Sequence, residues 1–136
     1  MIDNTDKKIV QLLQNNSRMK VKEISDKVCL SAPAVSQRII KLEEEGTIKK
    51  YTTEIDYEKT GYPIHVFLNV RLLDISHSNY LNFIKESRHV IKHYRVSGRG
   101  CYSFEGKFES NKSLDFFLVK LNEFCTYSLS IVIGEL

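Results

Sequence analysis

The run Val21–Tyr51, VKEISDKVCLSAPAVSQRIIKLEEEGTIKKY, constrains this chain more than any other part. Val21, Ile24 and Val28 repeat at helical spacing, and the pattern then breaks. It resumes as Val35, Ile39 and Leu42 behind Ser31, whose hydroxyl can accept a first-turn amide hydrogen bond. Pro33 sits in the first turn of that second helix, where no internal hydrogen bond is lost. Gly46 ends the helix, and Thr47 to Ile55 alternates enough for a strand or hairpin. A short helix, a tight turn, a longer helix with a polar outer face and a basic hairpin make a winged helix-turn-helix. The second helix of that unit fits a DNA major groove.

A further helix precedes the pair. Asp3 caps it, Asp6 stands at its third position, Ile9, Leu12 and Leu13 form its apolar stripe, and Asn15-Asn16-Ser17 ends it. The helix that starts at Val21 lacks such a cap, because Lys20 stands where Ser or Thr would serve. After Gly61 and Pro63 the period changes from helical to alternating. Ile64, Val66, Leu68, Val70 and Leu72 predict a half-buried strand, and Ser78 to Arg88 a helix carrying Tyr80, Leu81 and Ile84. Val90 to Val96 reads as a strand, Ser97-Gly98-Arg99-Gly100 as a turn, and Tyr102, Phe104 and Phe108 as one face of a third strand. Leu114, Phe117, Leu118, Leu121 and Phe124 make a helical stripe, and Tyr127, Leu129, Ile131 and Ile133 a last strand.

The order β-α-β-β-α-β is the ferredoxin-like split arrangement, and the fold class is α+β. The expected division is a DNA-binding domain over residues 1–52, a linker over 53–63 and a ferredoxin-like domain over 64–136. Both helices of the second domain should cover one face of its sheet. The opposite face, expected to carry Phe67, His93 and Val132, is then open to a partner, which points to a homodimer.

Composition narrows the function classes. The net charge of +3 is mild and matters by its position. Between Arg18 and Lys50 eight basic side chains (Arg18, Lys20, Lys22, Lys27, Arg38, Lys41, Lys49, Lys50) face five acids (Glu23, Asp26, Glu43, Glu44, Glu45). So small an excess requires several copies of the module for tight DNA binding. Met1 leads straight into a charged helix, and no apolar run approaches the ~18 residues of a membrane span, so a cytoplasmic, nucleoid-associated protein is expected. Cys29, Cys101 and Cys125 are odd in number and lack metal-ligand spacing, which predicts free thiols. His65, His77, His89 and His93 form no metal pattern, and no nucleophilic triad, carboxylate pair or phosphate loop is present. Neither a cofactor, a metal nor an enzyme is expected.

For DNA contact the residues of choice are Ser31, Ala32 and Pro33 at the start of the recognition helix, then Ser36, Gln37 and Arg38. Ser31 and the first amides can hold a phosphate; Gln37 and Arg38 can reach base edges, Gln suiting adenine and Arg guanine. Lys41, Lys49 and Lys50 suit phosphates. Glu43-Glu44-Glu45 repels phosphate and should face away from DNA.

These features together resemble the Lrp/AsnC (leucine-responsive/asparagine regulator, feast/famine) family of bacteria and archaea. The resemblance rests on Asp3-x-x-Asp6 before Ile9-Val10-x-Leu12-Leu13, Ser17-Arg18 and Val28-x-Leu30-Ser31. It continues through Gln37-Arg38-Ile39-x-Lys41-Leu42-Glu43-x-x-Gly46-x-Ile48, Tyr51, Gly61 and Val96-Ser97-Gly98, and so spans nearly the whole chain. It implies a transcription regulator with an ACT-like RAM module that builds dimers, often rings of four dimers (an octamer), and in many members takes up an amino acid between subunits.

Two positions depart from the family pattern. Cys29 stands where a glycine is usual, in a turn that favours a positive φ. Gly98-Arg99-Gly100-Cys101 replaces Gly-x-x-Asp, so the effector region, Ser97, Gly98, Arg99, Gly100 and Cys101, lacks the carboxylate that holds a ligand ammonium. A thiol cannot supply that charge-assisted bond, and a free amino acid is not expected to bind there in the usual way. The bland alternative for the segment is a hairpin turn that supports subunit packing; a redox role for Cys101 beside Arg99 is a further one.

The reading is therefore a DNA-binding transcription regulator that acts as an oligomer on promoter DNA and bends or wraps it. The alternatives are an amino-acid- or small-ligand-sensing regulator gated through the RAM module, or an ACT-like regulatory subunit that does not bind DNA.

Overall fold

The computed structural model of the chain describes residues 1–73 and 77–136. They form two compact units, Met1–Glu54 and Ile55–Leu136.

The first unit holds three helices: α1 (Asn4–Asn15), α2 (Val21–Val28) and α3 (Ala32–Glu44). Helix α1 starts where the sequence provides a reciprocal cap. The Asp3 carboxylate accepts the Asp6 N–H at 2.8 Å, and the Asp6 carboxylate accepts the Asp3 N–H at 3.2 Å. Helix α2 has no side-chain cap at Lys20, as its sequence predicts. One apolar residue per turn, Ile9, Leu13, Ile24, Val35 and Leu42, closes the core between the three helices. Ile39 joins that core only in part.

The expected strand over Thr47 to Ile55 does not form in this chain. A strand needs a hydrogen-bonding neighbour, and three helices offer no sheet edge to one. The segment is anchored at its start by the Ile48 N–H donating to the Leu42 carbonyl at 3.0 Å. The Tyr51 hydroxyl adds a bond to Glu43 Oε1 at 3.3 Å.

The second unit contains β1 (Ile64–Leu72), α4 (Ser78–Glu86), β2 (Val90–Arg95), β3 (Tyr102–Phe108), α5 (Asn111–Leu121) and β4 (Cys125–Ile131). The strand order β2-β3-β1-β4, with β1 and β3 paired antiparallel at the centre, is the ferredoxin-like arrangement. Alternation decides the two faces. Val66, Leu68 and Val70 of β1 and Tyr102, Phe104 and Phe108 of β3 turn toward one buried cluster with Tyr80 and Ile84 of α4 and Leu114, Phe117 and Leu121 of α5. The last strand starts two residues earlier than its alternation suggested. Cys125 is fully buried at its head, and burial raises its thiol pKa to about 11.

His93 corrects the expected open face. It pairs in register with Phe104, and so lies on the helix-covered side. There its Nε2 stands 3.0 Å from the Tyr80 hydroxyl, and burial lowers its pKa. The strand positions on the other side, Phe67, Asn69, Arg71, Tyr94 and Ser128 among them, are mixed in character, with Phe67 and Tyr94 well exposed. Val132 follows β4, and its N–H donates to the His65 carbonyl at 2.9 Å. The segment expected as an open linker is partly ordered as a 3-10 turn over Glu58–Thr60, closed by Gly61 at φ 98°. The Lys107 ammonium sits 4.4 Å from the centre of the Tyr57 ring and 4.6 Å from that of Tyr62, which fastens this segment to β3.

Candidate nucleic-acid interface

The interface is built around the turn between α2 and α3. Cys29 ends α2 with φ 58° and ψ 42°, the left-handed conformation expected at that place, and it is the sole non-glycine residue with positive φ among the described residues. A Cβ there opposes the conformation by about 1 kcal/mol. Leu30 closes the turn through its N–H to the Ser25 carbonyl at 3.2 Å, and the buried Ser25 hydroxyl donates to the Lys22 carbonyl at 2.6 Å. Ser31 then caps α3: its Oγ accepts the Ala34 N–H at 3.3 Å. That bond uses the oxygen as an acceptor and leaves the hydroxyl proton available for a phosphate.

Burial of Val35 and Leu42 fixes the roll of α3. Pro33, Gln37 and Lys41, spaced by four, form an outward stripe with Ser31 at its head. Ala32 and Ser36 are half-buried at its margin. Ile40, beside Gln37 and Lys41, is 53% exposed. Sequence periodicity did not single it out, because an isoleucine next to Ile39 reads as core. Its exposure beside the Gln37 and Lys41 stripe offers an apolar contact of the kind that suits a thymine methyl.

Arg38 stands apart from this stripe. Its Nη1 donates to Asp3 Oδ2 at 2.7 Å, to Asp3 Oδ1 at 2.9 Å and to Asp6 Oδ1 at 3.0 Å. The hydrogen bond from Arg38 lowers the Asp3 pKa, and the bonds to Asp3 and Asp6 raise that of Arg38, so each partner keeps the other charged. The guanidinium expected at base edges is thus tied to the capping box of α1. Nothing local in the sequence marks this contact, because Asp3 and Asp6 lie 35 and 32 residues before Arg38 and only helix packing brings them beside α3.

Lys41 lies 3.8 Å from Glu45, an exposed pair of adjacent turns that stabilises little. Lys49 and Lys50 are exposed, in the segment without a strand. Glu43 is engaged by Tyr51, whose own pKa is raised by burial and then by the Glu43 charge.

In the second unit, the turn Ser97–Cys101 connects β2 to β3. Gly98 has φ 111°, and a Cβ on Gly100 would meet the Val70 carbonyl oxygen at 2.6 Å, so both glycines are required. The Cys101 N–H donates to that same carbonyl at 2.7 Å, and Arg71 Nη2 donates to the Arg99 carbonyl at 3.2 Å. Arg99 is exposed, and Cys101 half-buried.

A short helix, a left-handed turn and a second, Ser31-capped helix with a polar outward stripe define the DNA-binding half of a helix-turn-helix transcription regulator. Comparison with known proteins agrees. The model of the AsnC-type helix-turn-helix domain matches residues 2–43. The transcriptional regulator LrpA of Bacillus subtilis is 47% identical over 136 residues, covering 99% of this chain and 100% of LrpA. LrpB of the same organism is 34% identical over 134 residues, covering 98% of this chain and 90% of LrpB. The solved structure of B. subtilis LrpC superposes with a TM-score of 0.93 at 26% identity, covering 100% of this chain and 97% of that one. A transcriptional regulator from Neisseria meningitidis, solved in complex with L-Met, shares the fold with a TM-score of 0.90 at 22% identity, covering 99% of this chain and 92% of its own. The chain belongs to the Lrp/AsnC family and is a DNA-binding transcription regulator. No helix among the described residues is long and apolar enough to cross a membrane.

Proposed function

We propose that the stripe headed by Ser31 and carrying Pro33, Ser36, Gln37, Ile40 and Lys41, with Ala32 at its margin, lies in the major groove, and that Lys49 and Lys50 approach flanking phosphates. Arg38 acts through Asp3 and Asp6 as a positioning residue that fixes the angle of α3, and not as a base reader. The observation that carries this reading is the three-bond fork of Arg38 on α1, beside a Gln37 that is free in solvent. The protein works as a homo-oligomer, a dimer through the open sheet face and up to an octamer of four dimers, so that several weakly basic modules act together on promoter DNA and bend or wrap it. Its functional division is residues 1–52 for DNA, 53–63 as connection and 64–136 for assembly, and it works in the cytoplasm at the nucleoid.

A second reading is effector gating at Ser97, Gly98, Arg99, Gly100 and Cys101. It is favoured by the exposed Arg99 on a turn that two glycines hold close to β1. Because Cys101 carries no charge-matched carboxylate, a ligand there would be an anion or a neutral molecule sooner than a free amino acid.

Fluorescence anisotropy with duplex from upstream of the gene, titrated over salt, tests the main reading. Wild type should bind with a steep salt slope, and Gln37→Ala should weaken specific binding by about 1–3 kcal/mol without changing the melting temperature. Arg38→Ala and Asp6→Asn should weaken binding together; loss in Arg38→Ala alone would return Arg38 to the bases. Failure to bind this or a random duplex at low salt would overturn the interface, and a monomer by light scattering at micromolar concentration would overturn the assembly.

A further inference from the structure

We infer that the second unit carries a binding cavity for an amphipathic organic anion, an aromatic or branched apolar body with one carboxylate or phosphate head. The cavity lies between the end of α4 and the start of α5, away from the 97–101 turn. Its volume of about 720 Å³ falls in the range of small-molecule sites. The inference does not rest on the DNA reading; it needs only this unit.

The floor is aromatic. Phe83 and Phe117 pack with ring centres 5.2 Å apart, and Phe116, 65% exposed, stands beside them on the open side. The lining offers far more apolar than polar surface, which suits a hydrocarbon body and not a sugar or a bare ion. So large an exposed phenylalanine beside an apolar hollow is surface that a ligand would remove from water.

The rim is cationic. Arg88, Lys112 and Lys120 line the cavity, with Glu86 as the acid among the lining residues. The Arg88 charge is already matched by Glu109, and His89 leans on the same carboxylate, with Nε2 2.9 Å from Oε2. Lys112 and Lys120 have no carboxylate partner among the described residues, and the Lys120 ammonium hovers 4.8 Å from the Phe116 ring centre. These two lysines therefore exceed the single acid of the rim, so the head group that complements it is negative. Lys112 stands in the first turn of α5 behind the Ser110 cap, where the helix dipole favours the same sign, and Lys120 stands in the last turn of that helix. Ser113, also on the lining, is occupied by the cap: its Oγ accepts the Ser110 N–H at 3.2 Å and donates to the Ser110 carbonyl at 3.0 Å. The head group is therefore held by ammonium groups and not by this hydroxyl.

The probe that tests this is 2-naphthoate, with the uncharged 2-naphthamide as its matched control, titrated into the ¹⁵N-labelled full chain and followed by amide chemical shifts. The expected result is saturable shifts centred on residues 83–89 and 110–120, with the amide binding about ten-fold or more weakly, as loss of a charged hydrogen bond requires. The exposed double variant Lys112→Glu/Lys120→Glu should lose at least that factor while its amide spectrum stays folded. Phe116→Ser should weaken naphthoate and naphthamide alike. Three results would overturn the inference: no saturable shift, shifts centred on 97–101 or elsewhere, or equal affinity for carboxylate and amide.

Discussion

The two units of this chain are held together by different means. The helical unit closes its core on five buried apolar side chains, Ile9, Leu13, Ile24, Val35 and Leu42. The α+β unit buries twelve among its described residues, dominated by Phe104, Phe108, Phe117, Tyr80 and Tyr102. A small helical unit exposes a large share of its surface and gains less from burial. Polar fasteners fill the difference there: the Asp3/Asp6 capping box, the Arg38 fork on both acids, the Ser31 cap and the Ser25 hydroxyl. In the sheet unit a larger aromatic core carries most of the packing, joined by a part-buried Tyr80–His93 contact, the Ser110 cap and the edge cluster of Glu109 with Arg88 and His89. The unit that reads DNA is thus the one whose geometry depends on a few directional bonds, and a single substitution there can tilt α3 without destroying a core.

That contrast can be broken or sharpened by experiment. The largest effect belongs to Phe104→Ala, which should destabilise the sheet unit by about 3–5 kcal/mol, read as lost hydrogen-exchange protection in β3 and α5. Equal loss of protection in α1–α3 would break the division into two units of stability. Next comes the fork: Arg38→Ala and Asp6→Asn should each lower protection of α1 amides, and the double variant should be no worse than Arg38→Ala alone, since both remove one network. Additive losses would show that the two residues act separately. Cys29→Gly should stabilise the helical unit by about 1 kcal/mol in thermal denaturation, by relieving the left-handed turn. No gain would mean that the thiol makes a compensating contact.

The smallest effect at neutral pH is expected for Glu109→Gln. The carboxyl pKa of Glu109 is held down to about 2 by its own backbone N–H and by the hydrogen bond to His89, with lesser help from Ser113. A folded value below the unfolded one of about 4.3 makes its contribution present above that unfolded value and lost as pH falls toward 2. Urea midpoints measured from pH 6 down to pH 2 should therefore fall less steeply in the variant, and identical acid limbs would remove Glu109 from the account.

Much of this was legible in the order of residues. The caps at Asp3 and Ser31, the stop at Gly46 and the β-α-β-β-α-β order follow from local rules about hydrogen-bond donors, ring constraints and period, and the positive φ at Cys29 from the glycine usual there in the family it resembles. The family followed from the same spacing. Three things were not legible. The strand expected over Thr47 to Ile55 had the right alternation but no sheet edge beside it. His93 was placed on the wrong face because β2 shifts register between Val90 and Lys92, and one residue of slip exchanges the faces. The partners of Arg38 were hidden as well: helix periodicity places it near the outward face, and only the packing of α1 on α3 brings two carboxylates within 3.0 Å of it. Sequence by itself determined the five helices and the four sheet strands of the described residues, and most of their apolar sides, since those depend on neighbours a few residues away. Only the tertiary structure decided which charges are already spent on each other, which isoleucine stays in water and where an aromatic hollow opens, because those depend on groups tens of residues apart meeting in space.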